Sequence, residues 1–213
     1  IPIKNKWLTS IVSLLLGLGL GTTVGKSVLE SAGIPASCVR TIQRADKKED
    51  SFRNELWVSG ADGKNARRVC RATDDCTDPE FSPDGKRLAY LSDANEGSQL
   101  WVARAGDGRG RAITDSDEAI GDFDWAPDGT KLVVVKDDPP LRKTDEAPWV
   151  ITGSQIQRDG ERFDEGRRAH LFVVGASGGT PTPLTSGPYD DATPRWSTKG
   201  DWIAFVSNRN TDP

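Results

Sequence analysis

The chain has 213 residues, 35% hydrophobic and 28% charged, with a formal net charge of −4. That balance suits a soluble globular domain and leaves no electrostatic footprint for nucleic acid, so no nucleic-acid partner is expected. The 22 glycines, 13 prolines and 7 tryptophans favour many short strands joined by tight turns. No methionine occurs, which is the expectation for a fragment or a processed form.

The first segment differs from the rest. Lys4 and Lys6 precede an uncharged run from Trp7 to Gly25. A basic region, an apolar stretch and then small residues describe a secretory signal peptide. A membrane anchor is the competing reading, since about 20 apolar residues can span a bilayer. Gly17, Gly19, Gly21 and Gly25 keep the run only modestly apolar. The expectation is therefore an exported protein, periplasmic or extracellular, with no stable membrane span; a cytoplasmic protein is the alternative. GTTVGKS at 21–27 has three residues between its glycines where a phosphate loop needs four. Cys38, Cys70 and Cys76 make an odd count, and whether Cys70 and Cys76 pair is left open. With a single histidine and no paired cysteine spacing, no metal site is expected.

Beyond residue 38 the chain repeats itself. FSPDGKRLAYLSD begins at Phe81, WAPDGTKLVVVKD at Trp125 (44 residues on) and WSTKGDWIAFVSN at Trp196 (71 further). A second landmark keeps the same spacing: LWV starts at Leu56 and Leu100, and LFV at Leu171. The longer step implies an insertion at 136–170. Spacings of about 40–45 residues with four strands per unit mark a propeller blade. Ser82-Pro83-Asp84-Gly85 and Ala126-Pro127-Asp128-Gly129 read as hairpin turns, with proline presetting φ and glycine in the left-handed position. The runs LAYL, LVVV and IAFV that follow are continuously apolar, which predicts burial on both faces. The fold expectation is all-β: an incomplete β-propeller over 39–213, with blade strands in 52–70, 78–114, 122–185 and 193–207. Residues 1–38 form an unmatched, signal-like segment. An open propeller leaves a raw edge, so self-association into a homo-oligomer is an expectation.

Two chemically tempting features fall inside this repeat. Gly175, Ser177 and Gly179 spell the G-x-S-x-G of a nucleophile elbow, but an elbow needs a helix after its serine and GGTPTPLT cannot start one. Ser177 aligns with Asp62 and Gly106, which makes it a turn residue. His170 aligns with Glu55 and Gln99, which reads as a polar rim position. Cys70 stands where Thr114 and Thr185 stand. The acidic pairs Asp74-Asp75, Asp137-Asp138 and Asp190-Asp191 read as solvated connections. Neither a catalytic nor a cofactor-binding nor a metal-binding residue is expected in this chain, and no cofactor.

SPDGKRLAYLSD followed by QLWVARAGDGRGRAIT resembles the blades of TolB-type propellers and of the propeller in the prolyl oligopeptidase family. PWVITGSQIQRDGERFDEGRRAHLFVV and the sequence through Pro213 resemble the acylaminoacyl-peptidase and dipeptidyl-peptidase branch of that serine peptidase family. The resemblance covers roughly 42–213 and implies about three blades of a propeller of seven or eight. Such a propeller would cap a downstream α/β-hydrolase domain, whose Ser, Asp and His would act through an acyl-enzyme. It would act as a size filter admitting short peptide substrates. The runner-up is a non-enzymatic, TolB-like protein-binding propeller.

Overall fold

The computed structural model describes residues 37–46, 51–60, 62–71, 73–95, 97–105, 110–139 and 167–209. They form four antiparallel sheets and no helix. The first holds β1 (Ser37–Asp46), β2 (Ser51–Gly60) and β3 (Arg67–Arg68). The second holds β4 (Cys76–Phe81), β5 (Arg87–Ser92), β6 (Gln99–Arg104) and β7 (Gly110–Ala112). The third holds β8 (Ile120–Trp125), β9 (Lys131–Asp137), β10 (Ala169–Gly175) and β11 (Thr182–Pro183), and the fourth β12 (Asp191–Trp196) and β13 (Ile203–Ser207). Each sheet is a meander, and the inner strands β4, β8 and β12 lie in succession. This is an incomplete β-propeller.

Burial follows from stacking. Leu88, Ala89, Tyr90 and Leu91 of β5 are all buried, as are Leu132 to Val135 of β9, because each strand has a sheet against both faces. One apolar cluster joins the first sheet to the second through Leu56, Val58 and Leu88. A second joins the second sheet to the third through Leu100, Phe123 and Trp125, and a third packs Val133 and Leu171 against Trp196 and Ile203 of the fourth. The IAFV run of β13 departs from the expected two-sided burial: Phe205 is 36% and Val206 64% exposed. Among the described residues no further sheet packs against it.

The turns repeat the same design. Gly85, Gly129 and Gly200 have φ of 66°, 68° and 78°, and each donates its N–H to the carbonyl three residues back. Ser82 Oγ donates to Asp84 Oδ1 at 2.6 Å and accepts from Arg87 N at 3.0 Å. Ser197 Oγ does the same with Asp201 and Trp202, so the Ser197-Thr198-Lys199-Gly200 turn survives loss of the proline and aspartate. Consecutive turns also touch. A methyl group on Gly200 would sit 3.1 Å from Pro127 Cγ, and one on Gly129 3.7 Å from Pro83 Cδ.

Polar contacts fasten sheet to sheet. Trp125 Nε1 donates to the Glu80 carbonyl at 3.2 Å, and Trp196 N donates to Asp124 Oδ2 at 2.6 Å. Arg87 reaches the Gly129 carbonyl at 2.6 Å while lying over the Trp125 ring.

Three differences from the sequence expectation have local causes. The first sheet has a third strand, β1, and the boundary drawn at 38/39 cuts through it. Its sequence SCVRTIQRAD has no apolar run to betray a strand, yet it pairs with β2 over its whole length. The inner strands begin at Cys76, Ile120 and Asp191, two residues before 78, 122 and 193, because each carries a bulge there. The register slips between Thr77 and Glu80, Ile120 and Asp122, and Ala192 and Arg195, with Asp78 and Thr193 at φ 49° and 53°. The ladder also runs into both ends of the 136–170 segment, pairing His170 with Lys136 and Ala169 with Asp137. Its residues 140–166 lie outside the described residues, as do 7–25.

Burial sets the expected response to mutation. Trp125 is 4% exposed and Trp202 74%. Trp125→Ala should cost about 3–5 kcal/mol, whereas Trp202→Ala should stay within about 0.5 kcal/mol, as read from urea midpoints. Burial, aided by the Asp74 carboxylate, pushes the Tyr90 phenol up to about 12. The unfolded phenol ionises near ~10, so stability held below that pH should be lost as pH rises from about 10 towards 12. Tyr90→Phe should lack this phase in alkaline denaturation.

Candidate functional site

The sheets place two kinds of structure at opposite ends. One end carries the inner hairpin turns and the turns that lead to the outer strands. The other carries the connections from sheet to sheet and both roots of the long segment between β9 and β10.

Ser177 belongs to the first end. It is exposed, in the turn from β10 to β11, with Gly178 and Gly179 at φ 85° and 128° and Gly178 N donating to Gly175 O at 2.8 Å. A strand follows this turn, not a helix, so the strained strand-to-helix geometry of an elbow is not formed. The turn serves as an acceptor: Arg111 on β7 of the preceding sheet donates to the Ser177 carbonyl at 2.9 Å. Arg67 stands at the same repeat position on β3 and donates to the Ala105 carbonyl of the second sheet. His170 sits near the far end of β10 from Ser177, roughly 20 Å away at ~3.3 Å per strand residue.

His170 shows a different character from that expected. Glu55, Gln99 and His170 are 6%, 1% and 4% exposed, so this repeat position is a buried polar site and not a rim. A polar group inside needs partners, and hydrogen bonds supply them at Gln99 and Glu55. Gln99 donates to the Ser116 carbonyl at 2.8 Å and accepts from Thr114 Oγ1 at 2.8 Å. Glu55 accepts from Trp57 Nε1 at 3.0 Å and pairs with Arg44 at 2.9 Å. The Trp57 indole, with Arg44 and Arg68, outweighs burial and holds the Glu55 carboxyl below the usual carboxylate range. His170 lies between two carboxylates, Nε2 3.5 Å from Asp138 and Nδ1 3.9 Å from Asp191.

The acidic pairs are likewise more than solvated loops. Asp191 is fully buried and meets Arg209 at 2.9 Å. Burial would raise its carboxyl, but the hydroxyls of Ser207 and Thr185 together with Arg209 outweigh that and hold it below the ordinary range. Asp75 Oδ1 accepts from Asn54 N at 2.6 Å, and Asp190 Oδ1 from Ala169 N at 3.3 Å, at equivalent places in two sheets. Such networks are hard to read from sequence, because a polar residue is ordinarily assigned to solvent.

Around His170 the roots of the inserted segment are clamped. Asp138 N donates to the Arg168 carbonyl at 2.7 Å, and Arg167 Nε to the Asp138 carbonyl at 2.9 Å. Arg167 pairs with Glu118 of the neighbouring connection, and Arg168 lies 3.8 Å from Asp190. Charges of both signs thus fix where the segment leaves and rejoins the sheet. What this arrangement supplies is a rigid mount; the hydroxyl nearest in motif to a nucleophile, Ser177, is at the other end.

The chain is similar to proteins of two kinds. It is 26% identical to the uncharacterized peptidase YuxL of Bacillus subtilis (strain 168) over 175 residues, covering 78% of this chain and 27% of that protein. It is 36% identical to the Tol-Pal system protein TolB of Blochmanniella pennsylvanica over 64 residues, 30% of this chain and 14% of TolB. Among solved structures, the acylaminoacyl peptidase of Pyrococcus horikoshii matches with a TM-score of 0.62 at 19% identity, over 84% of this chain and 27% of its own. The chain is a β-propeller portion similar to the propellers of such peptidases, and its repeats are similar to those of TolB. It spans about a quarter of the length of the peptidases it matches. No family model matches it.

The Asp191 environment carries a pH signature. A carboxyl depressed by folding stabilises the propeller above its unfolded value of ~3.9, and that stability is lost as pH falls below it. Asp191→Asn should lower the urea midpoint at pH 7, and the gap from the parent chain should narrow below pH ~4.

Proposed function

We propose that the chain is the non-catalytic propeller part of a serine peptidase that cleaves short peptides, of the acylaminoacyl- or dipeptidyl-peptidase kind. In this reading it gates access to a downstream α/β-hydrolase domain, where a serine activated by histidine attacks the peptide carbonyl and forms an acyl-enzyme. The observation that carries it is the extent of the likeness to YuxL. That match runs over 175 residues and 78% of this chain, whereas the TolB match runs over 64 residues and 30% of it. Ser177 has no part in the chemistry; its carbonyl ties two sheets together.

A second reading, a TolB-like propeller that binds proteins without catalysis, is favoured by the higher identity of the TolB match. Export is part of both. Its supports are the basic and apolar segment 4–25 and a Cys70–Cys76 disulfide, a bond that persists in oxidising compartments.

A fluorophosphonate probe distinguishes the two. The full-length product of the parent gene should be labelled at one serine outside residues 1–213, and Ser177→Ala should leave labelling unchanged. An unlabelled full-length product would sink the peptidase reading in favour of the TolB-like one. A label on Ser177 would sink both.

A further inference from the structure

We propose that the Cys70–Cys76 bond is a redox-sensitive staple, which holds the first sheet on the second and whose reduction releases that sheet alone. The inference rests on comparing three equivalent junctions. Cys70, Thr114 and Thr185 share one repeat position, and Cys76, Ile120 and Asp191 share the other. Between the second and third sheets the pair is Thr114 and Ile120, both buried. Between the third and fourth it is Thr185 and Asp191, joined through the threonine hydroxyl. Thr114 and Thr185 also accept the backbone N–H of Leu100 and Leu171, at 2.9 and 3.0 Å. Only at the first junction is this contact covalent, with Cys70 and Cys76 bonded and both buried.

The covalent form fastens a sheet that, among the described residues, meets a neighbour on one face alone. The first sheet has three strands among the described residues, and β3 is two residues long. Of β1, Val39 reaches the apolar cluster, while Thr41, Gln43 and Arg44 are exposed. The third sheet, by contrast, is packed on both faces. Beside the disulfide and that cluster, contacts at the first junction include Arg67 on the Ala105 carbonyl, Asn54 N on Asp75 and Arg53 on the Thr73 carbonyl.

The redox step is a simple exchange. A dithiol supplies two electrons and two protons, the Sγ–Sγ bond breaks to two thiols, and the dithiol leaves as its cyclic disulfide. With the bond gone, local opening of the first sheet no longer has to drag β4 with it.

The test is amide hydrogen exchange on the full chain, with and without dithiothreitol, beside a Cys70→Thr/Cys76→Ile variant that copies the next junction. After denaturation without reductant, one thiol (Cys38) should alkylate rather than three. Exchange of β1–β3 amides should rise about tenfold or more on reduction, with β8–β11 unchanged. The variant should exchange like the reduced chain and ignore dithiothreitol. Three alkylated thiols, a smaller rise, an equal rise in all sheets, or a variant that still responds to dithiothreitol would each overturn the proposal.

Discussion

A β-strand that is apolar on both faces needs a cover on each, and the Leu132–Val135 run of β9 is such a strand. One sheet cannot cover itself, so the sequence commits each sheet to lie face to face with its neighbours. The rest of the architecture follows from that demand. Turns fall at the same height in successive sheets, which lets Pro127 sit on Gly200. The same stacking brings Arg87 and Arg111 within reach of carbonyls one sheet on. Inner strands are drawn together closely enough for the Trp125 indole to reach the Glu80 carbonyl.

Stacking also sorts the molecule into two ends with different chemistry. The tight-turn end is made of glycine, proline and short side-chain caps that mimic backbone hydrogen bonds. Charge gathers at the other end, where connections cross between sheets and polar groups become buried. His170, Asp191 and Arg209 meet there, as does the disulfide of the first junction. The long insertion departs from this end, between two arginines and three carboxylates.

Much of the fold was legible because the repeat is carried by hydrophobic runs and turn glycines, which have direct backbone causes. LAYL and LVVV marked β5 and β9, and Gly85, Gly129 and Gly200 marked their turns. The turn reading of Ser177 came from alignment with Asp62 and Gly106, positions that share a backbone role and no side-chain chemistry. Other features left no such trace. β1 is polar along much of its length and is recognisable only by its pairing with β2. The bulges that start the inner strands early depend on register, which no single strand reveals. Glu55, Gln99 and His170 looked like solvent positions because their burial depends on partners far along the chain. Ser116, Asp138 and Asp191 are such partners. Arginines that bind carbonyls in the next sheet are likewise silent, since the acceptor has no side-chain identity.

The central functional claim concerns selection of substrate by size, and the full-length product is the place to measure it. Hydrolysis rates for acylated peptides of increasing length, and for one such sequence held within a folded protein, test it most directly. The account predicts turnover of the short peptides, a steep fall with length and no cleavage of the folded protein. Equal rates across that series, or none for any peptide, would contradict it.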